Sequence, residues 1–243
     1  MREAGRLVAE ALDVVRRMAR PGVSGLEIDA AVEDLFRSAG AQPIFKGYGA
    51  APGRPPFPGT ICASFNDEVV HGIPDGRRLK PGDLFSVDLG ARLKSYVGDA
   101  AVTVCIEPVS DEARRLASTC QQALDLAVDM IRPGIRWSQV AGAIQRHVEG
   151  AGFSVVRAFT GHGVGQRMHE EPQLPNYVGA GFADIVLQQG MTFAVEPMIN
   201  AGTYAVETLA NGWTAVTKDG SLSAHFEHSL AVTEDGVLVL TAP

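Results

Sequence analysis

Two stretches of this chain repeat each other, and the repeat constrains the fold more than any other feature. RPGVSGLEIDAAVEDLFRSAG at 20–40 returns at 132–152 as RPGIRWSQVAGAIQRHVEGAG. Identities fall at Arg20 and Arg132, Pro21 and Pro133, Gly22 and Gly134, Ala31 and Ala143, Ala39 and Ala151, and Gly40 and Gly152. Apolar positions match between them: Val23 with Ile135, Ile28 with Val140, Val32 with Ile144. Each copy follows an amphipathic stretch, residues ~3–19 and ~111–131, and each reads as a second helix stopped by glycine. Ser24 and Glu27 have the spacing of a capping box. Further on, LKPGDLFSVDLG (79–90) aligns with LQQGMTFAVEPM (187–198), which sets Asp88 on Glu196. Two helices followed by strands therefore occur twice, with a carboxylate ending the equivalent strand. The expectation is a duplicated α/β unit with a site between its halves, about 1–107 and 108–243. No low-complexity linker separates them, so 1–243 reads as one domain with a shared core.

With 243 residues, 46% of them hydrophobic, the chain can bury a sizeable core. Its net charge of −7 and lack of a basic stripe disfavour nucleic acid as a partner. No apolar run is long enough to span a membrane, and the N-terminus has no signal-peptide core. Cys62, Cys105 and Cys120 form an odd, dispersed set, which fits free thiols in a reducing cytoplasm. GYGAAPGRPPFPG at 47–59 reads as a long loop of the kind that is often functional.

Four acids stand out by the company they keep. Asp88 and Asp99 flank a hairpin; a two-residue turn at Leu93–Lys94 sets them directly opposite each other, an arrangement that like charges destabilise. Taken alone, the pair also fits a solvated hairpin. On alternation, Asp99 shares its face with Ala101, Thr103 and Cys105, against Ala100, Val102, Val104 and Ile106. Glu196 goes with Thr192 and Ala194, against Met191, Phe193 and Val195; Glu227 goes with Ser229 and Ala231, against Phe226, Leu230 and Val232. Asp88 follows Ser86, although Leu84 breaks the pattern. Buried carboxylates need a counter-charge, and Arg92 and Lys94 sit at the turn, out of reach. In TGHGVGQRMHEEP (160–172) glycines leave His162 little to pack against, so it supplies a ring nitrogen to the acids. One imidazole with four carboxylates suits a pair of first-row ions such as Mn²⁺, Fe²⁺, Co²⁺ or Zn²⁺. Paired ions of this kind activate water, so the pattern points to a hydrolase.

Six stretches resemble type I methionine aminopeptidases, in order and over nearly the whole chain. They are NDEVVHGIP (66–74), SVDLG (86–90), GDAAVTV (98–104), GHGVGQRMHEEP (161–172), GMTFAVEPMINAG (190–202) and NGWTAVTKDGSLSAHFEHSLAVT (211–233). The resemblance implies the pseudo-twofold "pita-bread" α/β fold, an antiparallel-rich sheet covered by two helix pairs with a dimetal site between the halves. It implies removal of the initiator methionine from new polypeptides with a small second residue. Asp88, Asp99, His162, Glu196 and Glu227 would be the ligands of two divalent ions, drawn from Co, Mn, Fe, Zn or Ni. Asp99 and Glu227 would bridge, Asp88 would hold one ion, and His162 and Glu196 the other. Glu196 would help to move a proton. His169 and His71 would hydrogen-bond the substrate, although His71, before Gly72-Ile73-Pro74, taken alone reads as a turn residue.

Cys62, Phe57, Met168 and Trp213 match positions lining the methionine pocket, although Cys62 also reads as a structural buried thiol. The family often has an aromatic where this chain has Met168, and tyrosine is common where it has Phe57. The loop before Cys62 is longer and richer in proline than usual. His147, His225 and His228 read as structural. The implied partners are the N-termini of nascent polypeptides, with a transient ribosome contact allowed, no nucleic acid recognition and no membrane. The expected enzyme is a cytoplasmic monomer. The alternatives are an Xaa-Pro aminopeptidase of the same fold and a non-catalytic pita-bread binding module.

Overall fold

The structure, a computed structural model, describes residues 1–242. Four helices carry the amphipathic stretches: α1 (Arg2–Met18), α2 (Gly25–Ser38), α3 (Asp111–Met130) and α4 (Trp137–Gly150). In α1, Leu7, Val8, Ala11, Leu12 and Val15 recur at helical spacing and are buried, while Arg16 and Arg17 end the helix near its negative pole. The capping box of α2 is formed. Glu27 N–H donates to Ser24 Oγ at 3.3 Å, and Ser24 N–H donates to the Glu27 carboxylate at 2.8 Å. Ser110 caps α3 by accepting from Ala113 N–H at 3.1 Å.

The repeated segments make the same bonds. Gly22 N–H donates to the Leu79 carbonyl at 2.8 Å, and Gly134 N–H to the Leu187 carbonyl at 2.9 Å. Leu79 and Leu187 return the bond to Val23 and Ile135. Gly82 N–H reaches the Ile106 carbonyl, and Gly190 N–H reaches that of Val232. The paired glycines Gly22 and Gly134, Gly40 and Gly152, and Gly82 and Gly190 all take positive φ, which explains their recurrence.

A nine-stranded antiparallel sheet lies against the helices. Its path runs Gln42–Pro43, Leu84–Leu93, Tyr96–Cys105, Glu227–Val232, Thr192–Val195, Gly161–Gly163 and Glu170–Leu174. Ile61–Phe65 adds to Leu84–Leu93, and Val237–Val239 to Glu227–Val232. Phe85, Val87, Leu89, Ala100, Val102, Phe193, Val195, Phe226 and Leu230 face the helices and form the main core with them. The opposite, small-residue face is left for polar groups, as the alternation requires. Leu84 joins the core from the other parity.

The turn of the long hairpin is one residue later than expected. Leu93 pairs with Tyr96, so Lys94 and Ser95 make the turn, at φ 50° and 71°. Such a primed turn favours Gly or Asn, and Lys-Ser carries no such signal. Asp88 therefore pairs with Ala101, and Asp99 with Gly90. The two acids share a face but stand diagonally, which eases their repulsion.

The two halves of the chain meet where Ala100 and Ala101 pair with His228 and Glu227. The strands then part, and hydroxyls span the gap. Ser229 Oγ donates to the Asp99 carbonyl at 2.7 Å and accepts from Asp99 N–H at 3.0 Å. Thr103 Oγ1 does the same for His225, at 2.8 and 2.9 Å. Among the described residues no helix is long and apolar enough to cross a membrane.

Candidate metal centre and substrate cavity

A cavity of about 760 Å³ is lined by Asp88, Asp99, His162, Glu196 and Glu227 together. Asp88 is flanked across the sheet by Cys62 and Ala101, both small enough to leave its carboxylate free. His162 is the middle residue of Gly161–Gly163, paired with Ala194 on one side and Gln173 on the other. A side chain at Gly163 would stand 2.2 Å from the Glu171 carbonyl, so only glycine lets these strands approach. Glu196 follows Thr192–Val195, and its carbonyl accepts from Asn176 Nδ2 at 2.9 Å. Glu227 opens its strand.

The polar atoms converge. Asp99, His162 and Glu227 each offer a ligand atom, all within 4.8 Å of one another. His162 Nε2 lies 3.5 Å from Glu196 Oε1. Its Nδ1 is 2.9 Å from the Gly163 carbonyl, which can only accept. Nδ1 therefore carries the proton, and Nε2 faces the acids with a lone pair. Burial, and then His169, press the His162 pKa down to about 4, so the ring is neutral.

Among the described residues the four acids have no permanent counter-charge. No Lys or Arg pairs with them among the described residues. Asp88 Oδ1, Asp99 Oδ1 and Glu227 Oε1 are buried without a hydrogen-bond partner. Burial pushes the Asp88 carboxyl up to about 8. Burial, and then neighbouring carboxylates, push Asp99, Glu196 and Glu227 well above the usual range. Such an arrangement is costly for a protein alone and apt for a divalent cation, which reverses the local electrostatics. Hard oxygens with one imidazole fit a first-row dication.

The two histidines of the glycine-rich stretch hold different positions. Their rings meet edge to face with centroids 4.4 Å apart. His162 is buried among the acids, whereas His169 is exposed on the cavity wall, with Nδ1 2.8 Å from the Tyr48 hydroxyl. His71 lines the cavity too. It takes φ 59°, uncommon outside glycine, and its ring abuts Phe159 at 5.3 Å. Burial presses its pKa down to about 4, so it is neutral.

Phe57, Cys62, Met168 and Trp213 come together beside the acids in one buried apolar cluster with Phe45. Sequence reasoning missed Phe45, Tyr48, Arg54 and Phe159, which line the same cavity. The first three belong to or adjoin the 47–59 loop, where no periodicity marks a facing direction. His228 turns away to Thr241 Oγ1 at 2.8 Å. His225, read as structural, brings Nε2 within 3.9 Å of Glu196 Oε2. Cys120 supports the turn after Val195 from below, its Sγ 3.1 Å from the Pro197 carbonyl.

This fold, with a nest of unpaired acids and one imidazole beside an apolar pocket, defines a metallopeptidase. Residues 1–234 match metallopeptidase family M24, and the chain belongs to that family. Methionine aminopeptidase 1 of Bacillus subtilis is 46% identical over 241 residues, which are 99% of this chain and 94% of the relative. The solved methionine aminopeptidase of Thermotoga maritima superposes with a TM-score of 0.94 at 42% identity, covering 100% of this chain and 95% of that one. Sequence and fold place the chain among the methionine aminopeptidases of this family, as a hydrolase with the pita-bread α/β fold. Prolidase from Pyrococcus furiosus shares the fold alone, at 21% identity and a TM-score of 0.78; this chain spans 62% of its length.

Proposed function

We propose that this enzyme removes the initiator methionine from nascent polypeptides whose second residue is small, using two divalent ions. The observation that carries the reading is the adjacency of the unpaired acids to the Phe45, Phe57, Cys62, Met168 and Trp213 cluster. In this reading Asp88, Asp99, His162, Glu196 and Glu227 would hold the ions. When bound, the metal supplies Lewis acidity, lowering the pKa of water and polarising a carbonyl.

The chain's own groups do the rest. The apolar cluster takes the methionine side chain, with the soft thioether against Met168 and the aromatic rings. Glu196 accepts a proton from the attacking water at a carboxylate oxygen and passes it to the departing amine. His71 and His169, held on the cavity wall, donate hydrogen bonds to the scissile amide and to the developing oxyanion. When the Tyr48 hydroxyl donates to Nδ1 of His169, Nε2 carries the proton that this role needs.

The reading extends to a cytoplasmic monomer that meets nascent chains, with a transient ribosome contact. The test is steady-state cleavage of Met-Ala-Ser, Met-Leu-Ser, Leu-Ala-Ser and Ala-Pro-Ser by metal-loaded protein. The reading expects Met-Ala-Ser to be far the best substrate; a preference for Ala-Pro-Ser would overturn it.

A further inference from the structure

The solvent side of the apolar cluster is closed by residues 47–57, which hold no helix or strand and only the single Ala51–Arg54 bridge. The ends of this stretch are tied together. Gly47 N–H donates to the Phe57 carbonyl at 2.8 Å, and Phe57 N–H to the Tyr48 carbonyl at 2.9 Å. It is thus a compact loop packed by its own side chains.

Tyr48, at the base of the loop, bonds His169 through its hydroxyl, and the outer part of the loop is tied to itself and to Trp213. The Arg54 guanidinium lies 4.3 Å above the Trp213 ring. Its Nε and Nη2 both donate to the Gly49 carbonyl, at 3.1 and 2.9 Å. Trp213 Nε1–H donates to the Pro55 carbonyl at 2.9 Å. Phe57 meets the indole edge to face, with centroids 5.3 Å apart. Gly49 takes φ +67°, and a side chain there would stand 2.6 Å from Trp213 Cη2, so the indole sits hard against the loop backbone. Arg54 forms no ion pair among the described residues. Its polar contacts serve the loop, and its charge faces the indole.

We propose that Arg54 is a positioning residue that clamps the 47–57 loop onto Trp213 and so fixes the width of the first-residue pocket. The inference deepens the functional reading above and rests on it. Arg54 lines the cavity, but its hydrogen bonds go to the loop and its guanidinium stacks on Trp213, whose ring is part of the pocket wall, so its proposed action runs through Trp213. A pre-set wall spares substrate binding the cost of ordering a loop and an indole. It also excludes side chains of a different shape, the kind of difference a pocket of fixed width can read. The acids and His162 stand on sheet strands or directly beside one, and Tyr48, which meets His169, is held at the loop base by its bonds to Phe57 and Phe45, so loosening the segment around Arg54 leaves their geometry in place.

The test compares wild type, Arg54→Ala and Arg54→Lys on Met-Ala-Ser and Leu-Ala-Ser, with calorimetric titration of free methionine as a readout apart from turnover. For Arg54→Ala the clamp predicts a KM for Met-Ala-Ser raised about tenfold with kcat within about twofold. It predicts a Met-over-Leu preference in kcat/KM lowered at least about fivefold, and weaker methionine binding to match. Arg54→Lys keeps a cation over the indole but not the paired bonds to Gly49, so it should fall between the two. If Arg54→Ala matches a methionine-selective wild type in KM, in selectivity and in methionine affinity, the clamp is overturned while the pocket reading stands. A wild type with no preference for methionine would overturn both.

Discussion

The hydroxyl of Tyr48 stands 2.8 Å from Nδ1 of His169, across 121 residues of sequence. The contact joins a loop with no regular structure to the glycine-rich stretch that also carries His162. It fixes the His169 ring and leaves Nε2 as the free nitrogen. Tyr48→Phe removes the hydroxyl but keeps the ring. The expected outcome is a kcat about 3- to 10-fold lower, the worth of one hydrogen bond, with bound metal unchanged. Steady-state kinetics with elemental analysis checks it; an unchanged kcat would show that the contact does not orient His169.

His162 and His169 should separate cleanly on substitution. His162→Ala is expected to lose metal, because its Nε2 points into the acids. His169→Ala is expected to retain metal while turnover falls at least about tenfold, as for loss of a transition-state donor. Equal metal loss in both variants would make both rings ligands.

Asp99 lies within reach of both His162 and Glu227 and has no cationic partner. Asp99→Asn should lower turnover by at least about a hundredfold by weakening charge stabilisation at the centre. In chelator the same variant should melt higher than wild type, since one of four crowded, buried acids is gone. Thermal melts in chelator, run beside the assay, examine both halves. A variant with wild-type turnover removes Asp99 from the chemistry.

The acids also predict a pH dependence of stability. Burial raises the folded pKa of Asp88 to about 8, and that of Asp99, Glu196 and Glu227 well above the usual range. In the unfolded chain these groups titrate near their ordinary values. Through these acids the folded state binds more protons, whereas buried His71 and His162, held near 4, oppose them below about pH 6.5, so the fall in stability is expected as pH rises from about 6.5 through 8. Chelated protein should lose melting temperature across that window, and added divalent metal should restore most at its upper end. A chelated protein whose melting temperature rises from pH 6.5 to 8 would contradict this origin.

Much of the architecture could be read from the residues because it depends on parity and repetition. The Arg-Pro-Gly segments declare two copies, and the copies form equivalent bonds from Gly22 to Leu79 and from Gly134 to Leu187. Alternation around Asp99, Glu196 and Glu227 marks one apolar and one small-residue face, because strand geometry leaves no other choice. The hairpin register was harder. Lys94 and Ser95 occupy a turn that their types do not advertise, so Asp88 and Asp99 stand diagonally and not face to face. Tyr48, Arg54 and Phe45 reach the cavity from a loop or its edge, where no period dictates direction. His225 approaches Glu196 from a strand that pairs with Met198 and is bonded by Thr103, contacts between segments distant in sequence that its local pattern does not reveal.

The central claim is that dications balance the four acids and make the site work. The most direct measurement strips the protein with chelator, adds back one divalent metal at a time, and records bound metal together with cleavage of Met-Ala-Ser. The account predicts that stripping abolishes cleavage and that activity returns in step with metal bound, saturating at two ions per chain. Full activity in the stripped protein, or metal uptake that leaves activity unchanged, would contradict it.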